Sequence, residues 1–188
     1  ASANIGFNNA DLRGSASLYH HYNPQKLSTY LVAVSKGARM INSNDAISSL
    51  LDRQNIYQNW GVRASHSTEL INGLYFYSSF RFDQRSQFDL DYRFVTWFDE
   101  EFQNTEPIQF PTYNSLRSLF YISYVPFQKY MTEPNRKVIL GSAWPTFQLG
   151  WEKGWNGVLQ SVVDFDYLSL SIDQSFQMRT FGESKYKI

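Results

Sequence analysis

The sequence contains no cysteine, which removes disulfide frameworks, thiolate zinc sites and thiol nucleophiles together. Any chemistry must rest on oxygen or imidazole, and with 3 histidines imidazole is scarce. An excess of either charge is also missing. The 17 Lys+Arg balance the 17 Asp+Glu, and no basic or acidic run would steer a nucleic acid or another charged partner. No stretch approaches the roughly 20 consecutive apolar residues of a membrane helix, so a helical span is excluded. Crossing by strands is untouched by that test. Ala1-Ser2-Ala3-Asn4 has no basic segment followed by an apolar one, and the expectation is that any export signal has already been removed. No tandem repeat, low-complexity tract or linker interrupts the 188 residues, which fit one domain over 1–188.

Aromatic side chains are abundant instead. They make up 18% of the chain, as Tyr 13, Phe 15 and Trp 5, yet mean hydropathy is only −0.42 because most rings sit beside polar residues. A sheet that shows one face to lipid and one to water, with Tyr and Trp at the two interfaces, has this composition. So does an aromatic-lined sandwich that binds sugars.

Alternation recurs at strand length, and in a strand it sends successive side chains to opposite faces. Over 165–178, Leu168, Leu170, Ile172, Phe176 and Met178 share one parity with Gln174, while Tyr167, Ser169, Ser171, Asp173, Ser175 and Gln177 take the other. Over 74–85, Leu74, Phe76, Phe80 and Phe82 alternate with Tyr75, Tyr77, Ser79, Arg81, Asp83 and Arg85. Phe88, Leu90, Tyr92 and Phe94 alternate with Asp89, Asp91 and Arg93. The charged residues of the second set imply water on that face. Weaker strands are expected at about 15–22, 27–36, 59–68, 116–125 and 146–154, giving about eight.

Asn72-Gly73 and Asn156-Gly157 are hairpin dipeptides. The polar connections 99–114 and 129–143 are longer, as in the short-turn, long-loop asymmetry of outer-membrane barrels. Taking length as the marker of an external loop places 99–114 on the same side as Asn72-Gly73. At 44–54, Ile47, Leu50 and Leu51 fall at helical spacing behind Asn44-Asp45, which predicts a short capped helix in a connection.

Candidate chemistry is thin. Asp164 and Asp166 lie two apart and would stand roughly 7 Å from each other on one strand face, a separation compatible with glycoside hydrolysis. Asp89 with Asp91, and Asp99-Glu100-Glu101, are similar in kind, and solvated carboxylates on a wet face or loop explain all of them. His20 and His21 would point to opposite faces of a strand, and His66 stands alone, so no metal is expected. The glycines of 140–142 and 154–157 read as turns rather than a phosphate cradle. Trp60, Trp97, Trp144, Trp151 and Trp155 could stack on sugars, but those near strand ends fit an interfacial girdle better. No catalytic, cofactor or metal residue is assigned.

Glu69-Leu-Ile-Asn-Gly-Leu-Tyr75, then Pro126-Phe-Gln-Lys-Tyr130 through Pro134-Asn-Arg-Lys137 and Leu140-Gly-Ser-Ala-Trp-Pro-Thr-Phe147, then Asp164-Phe-Asp-Tyr-Leu168, resemble in order an uncharacterised family of Bacteroidetes outer-membrane proteins. Its members place a carboxypeptidase-regulatory-like domain before a large barrel, and the resemblance covers about 40–188. It implies location and architecture and carries over no catalytic residue. These barrels are similar to the surface-antigen class, whose V-R-G-F/Y motif has only a partial counterpart in Leu12-Arg13-Gly14.

The expectation is therefore an all-β chain, an antiparallel up-and-down transmembrane β-barrel or a segment of one, in the bacterial outer membrane. Its role would be non-enzymatic, in transport, envelope biogenesis or scaffolding, with the lipid bilayer and other outer-membrane or periplasmic proteins as partners and without nucleic acid or cofactor. A secreted glycan-binding β-sandwich and a glycoside hydrolase are the alternatives, and dependence on detergent for solubility separates them from a barrel.

Overall fold

The alternating segments form long strands because each keeps one parity apolar and the other polar over more than ten residues in most cases. The computed structural model describes residues 2–8, 13–40, 56–87, 109–177 and 183–188. Among these, eleven strands run as β1 (Ser2–Asn8), β2 (Arg13–Asn23), β3 (Ser28–Met40), β4 (Ile56–Ile71), β5 (Leu74–Gln87), β6 (Tyr113–Tyr124), β7 (Lys129–Glu133), β8 (Arg136–Gly141), β9 (Thr146–Gly154), β10 (Phe165–Gln177) and β11 (Glu183–Lys187). Nine form one sheet in the order β1-β2-β3-β4-β5-β6-β9-β10-β11. Every neighbouring pair in it is antiparallel. β7 and β8 pair only with each other. The nine-stranded sheet is open, since β1 and β11 each have one neighbour.

Register fixes the two faces. Val34, Val62, Phe82 and Leu116 are successive partners across β3 to β6, and Ile122, Leu149 and Leu170 are partners across β6, β9 and β10. Directly opposed residues lie on one side of a sheet, so these apolar sets merge into a single face. The other parity gives Gly61, Asp83 and Ser115, and beside them Arg63, Arg81 and Arg117. The apolar face is not covered: no hydrophobic side chain is buried among the described residues, while Leu168 and Leu170 are 69% and 73% exposed. What is buried is polar, including Asn59, Glu69, Asp83, Ser115, Ser118 and Gln128.

The strands meet their connections at two ends. Among the described residues, 24–27, Asn72–Gly73 and 125–145 lie at one, and 109–112 and 155–164 at the other. Gly73 makes the first end tight, with φ +81°, a left-handed value that costs glycine little. Its carbonyl accepts from the Val125 N–H at 2.7 Å.

Several expectations need correction. The expected count of about eight holds for the sheet, but its two short edge strands, β1 and β11, were not foreseen. The stretch 129–143 is not a plain connection but holds the β7–β8 hairpin. Asn156-Gly157 does not close a two-residue hairpin: residues 155–164 include a 3-10 turn at Val158–Gln160 and a bridge from Ser161 to Asn114. The partner of β5 is β6, so residues 109–112 enter the sheet at the end opposite Asn72–Gly73; the same-side expectation for 99–114 fails for these residues, and 99–108 lie outside the described ones. The expected strand at 88–94, helix at 44–54, Trp97, Asp89 with Asp91, and Asp99-Glu100-Glu101 lie outside the described residues.

Candidate functional site

The polar face carries the densest chemistry of the described residues, in two clusters. The first is set by register. Arg63, Arg81 and Arg117 are direct partners across β4, β5 and β6, a row of three like charges that is unfavourable unless countered. Asp83, one step along the polar parity of β5 and 1% exposed, supplies most of the counter-charge. Its Oδ2 takes Arg81 Nε at 2.6 Å and Arg117 Nη2 at 3.3 Å, and its Oδ1 accepts from Asn59 Nδ2 at 3.0 Å. Glu152 on β9 approaches Arg117 Nη1 at 3.6 Å. Arg63 meets no carboxylate among the described residues; it donates to Ser79 Oγ at 3.2 Å and to the Tyr77 hydroxyl. Arg85, further along β5, lies over the rings of Tyr57 and Tyr113 and donates to the Tyr113 hydroxyl at 3.1 Å. Gly61 makes room, because a Cβ there would collide with Asp83 Oδ1.

The second cluster stands at the Asn72 end. Glu69, the last polar-parity residue of β4 and 3% exposed, receives the Lys137 ammonium on Oε2 at 2.5 Å. The backbone N–H of Gly73 donates to its Oε1 at 3.1 Å, and Gln128 Nε2 does so at 3.3 Å. Tyr75 donates to Gln128 Oε1 at 2.9 Å, and Lys137 also reaches Asn72 Oδ1 at 3.0 Å. A carboxylate so enclosed is tolerable only with this many donors. Gln25 Nε2 donates to the Glu133 carbonyl at 2.9 Å, which ties the tip of the β7–β8 hairpin to the 3-10 turn at Pro24–Lys26. The hairpin is thus fastened across the polar side of the sheet.

The apolar face is bordered by rings and polar groups. Phe80, Phe120 and Trp151 make contact in turn across β5, β6 and β9, at 5.7 and 5.6 Å between centroids. Trp151 Nε1 donates to Asp166 Oδ1 at 3.0 Å, and Lys153 pairs with Asp166 Oδ2 at 2.8 Å. Trp155, just past β9, donates to Ser118 Oγ at 2.9 Å and lies under the Lys153 ammonium. At the Asn72 end, the Tyr22 hydroxyl meets His66 Nε2 at 2.6 Å, and His20 packs on Tyr30 at 5.3 Å.

Asp166 therefore departs from expectation. It has the parity of Leu168 and Leu170 and ends the apolar face, while Asp164 precedes β10, so the two do not form a pair on one wet strand face. His20 and His21 are consecutive on β2 and point to opposite sides, as their spacing implies. His66 has a partner that the sequence did not indicate. Trp144 lies beside Phe127 at 5.4 Å in the connections around the hairpin, and Trp60 packs edge-on to Phe82 at 5.9 Å near the other end. The arginine row went unseen because cross-strand register is not written in one strand's pattern. The only trace was charged residues repeated on the second parity of 74–85.

No curated protein and no solved structure matches the chain. A family model does, described as a family of unknown function, DUF5686, C-terminal domain, and it matches residues 1–188. The chain belongs to that family.

Proposed function

We propose that this chain forms part of a transmembrane β-barrel in the bacterial outer membrane, with a non-enzymatic role in transport or envelope biogenesis. The observation that carries this reading is the inverted burial: apolar side chains are exposed on a continuous face and the buried side chains are polar. In water such a face must be covered by another layer; in a bilayer, lipid covers it. Strand length supports the reading, since β2 reaches and β3, β4, β5, β6 and β10 each exceed the 9–11 residues a tilted strand needs to cross. From Asp166 to Gln174 the apolar band of β10 runs eight steps, about 26 Å along the strand and about 20 Å across the membrane at a tilt near 40°. Trp60, Trp151 and Trp155 at one border, and Tyr22, Tyr30 and Tyr124 at the other, have the placement of interfacial girdles.

The two-residue turn at Asn72–Gly73 supports reading that end as periplasmic and the end with 109–112 and 155–164 as external, with the β7–β8 hairpin then on the periplasmic side. Nine alternating strands leave β1 and β11 running the same way, so antiparallel closure calls for an odd number of further strands between those edges. That supports a barrel larger than this sheet, as in the resembling family with its leading periplasmic domain. The reading is tested by reconstitution. Protein purified in detergent should enter lipid vesicles and show a heat-dependent shift in electrophoretic mobility. A protein that stays monodisperse after complete detergent removal, with no lipid present, would contradict it.

A further inference from the structure

The polar face holds more guanidinium than it can neutralise. Arg63, Arg81 and Arg117 stand side by side in one row, at strand spacings of roughly 4.8 Å, and face two carboxylates, Asp83 and Glu152. Asp83 is used by Arg81 and Arg117 together, and Glu152 approaches only Arg117. The Arg63 fork meets only hydroxyl oxygens among the described residues and keeps further N–H donors in hand. A depression of about 160 Å³, lined by Arg63, Ser79, Arg81, Arg117 and Glu152 among others, opens above the row, and a water's share of liquid volume is only about 30 Å³. A like-charged row with one more cation than carboxylates is unfavourable for stability alone, and a bound anion would offset the excess.

We infer that the row is a binding site for a phosphate group, held between the Arg63 and Arg81 forks with Arg117 beside them. Guanidinium forks match tetrahedral oxyanions through paired N–H donors, and rings of arginine select anions and phosphates in pores. The inference goes beyond the proposed function by naming a solute class, a phosphorylated compound that reaches the polar side from water. A lipid headgroup offers the same chemistry, but it would have to reach the face opposite the apolar one.

The test uses the intact protein in uncharged detergent, titrated calorimetrically with pyrophosphate. Saturable binding is expected, weakened at least tenfold by Arg63→Gln and less by Arg63→Lys, which keeps charge without the fork. Glu152→Gln removes a competing carboxylate and should tighten binding several-fold, so the site stays falsifiable if Arg63→Gln fails to fold. Absence of binding, or equal affinity in the folded Arg63→Gln protein, or no tightening in Glu152→Gln, overturns the inference. Competition by an anionic phospholipid in mixed micelles would replace a soluble phosphate by a headgroup and overturn the assignment of the solute. Failure of the membrane reading leaves pyrophosphate binding intact, because the row and the apolar face are on opposite sides.

Discussion

Lys137 on β8 delivers its ammonium to the Glu69 carboxylate at 2.5 Å, a contact that spans 68 residues of sequence and leaves both side chains under a tenth exposed. It anchors the β7–β8 hairpin to the end of β4. Removing one partner strands the other as an uncompensated buried charge, whereas removing both does not. Glu69→Gln should therefore destabilise hairpin docking by about 3 kcal/mol, and the double variant Glu69→Gln with Lys137→Met should recover most of it. Hydrogen exchange of the β7 and β8 amides reads the difference, and equal protection in the two variants would show that the ion pair does not hold the hairpin.

Gly73 and Gly157 have nearly the same backbone, φ +81° and +79°, but different surroundings. A Cβ at Gly73 would run into the Val125 carbonyl oxygen, and one at Gly157 meets nothing within 4 Å. Alanine at Gly157 pays only the left-handed conformation, about 1 kcal/mol. Alanine at Gly73 should cost about 1–2 kcal/mol more, because the turn and the 2.7 Å hydrogen bond to Val125 must shift. Chemical denaturation of the two variants checks this, with equal losses as the contrary result.

Cysteine labels distinguish the two ends. Asn72 and Gln109 both stand exposed, at opposite ends of β5 and β6. In vesicles an impermeant maleimide should react with one of Asn72→Cys and Gln109→Cys from outside and with the other only after lysis. Reaction of both from one side would mean that the segment between them does not cross.

How much of this was legible depended on whether a feature was local. β5, β9 and β10 are almost fully delimited by their alternation, since Leu74 to Phe82 and Leu168 to Ile172 each place every second residue on one face. The shorter hairpin was hidden. Lys-Tyr-Met-Thr-Glu and Arg-Lys-Val-Ile-Leu-Gly lack a clean two-residue period, and their stability comes from distant partners such as Glu69 and Gln25. Asp166 misled for a related reason: a carboxylate reads as wet, but Lys153 and Trp151, reached only through register, let it end an apolar face. The patches around Glu69 and Pro126 to Lys137, which stood out in the sequence, converge in the Glu69–Lys137 cluster. The arginine row needed the register of three strands at once, with Arg63 and Arg117 supplied by segments whose own patterns are weak.

Leu170 and Ser171 offer the most direct measurement of whether the apolar face meets lipid. They are adjacent near the middle of β10; Leu170 is 73% exposed on the apolar side, and Ser171 Oγ donates to Gln148 Oε1 at 3.0 Å on the polar side. Unfolding free energies measured in lipid vesicles should fall by about 2–4 kcal/mol for Leu170→Arg, the cost of a cation at the midplane, and by well under half as much for Ser171→Arg. Equal losses at the two positions, or the larger loss at Ser171, would contradict a lipid-facing apolar side.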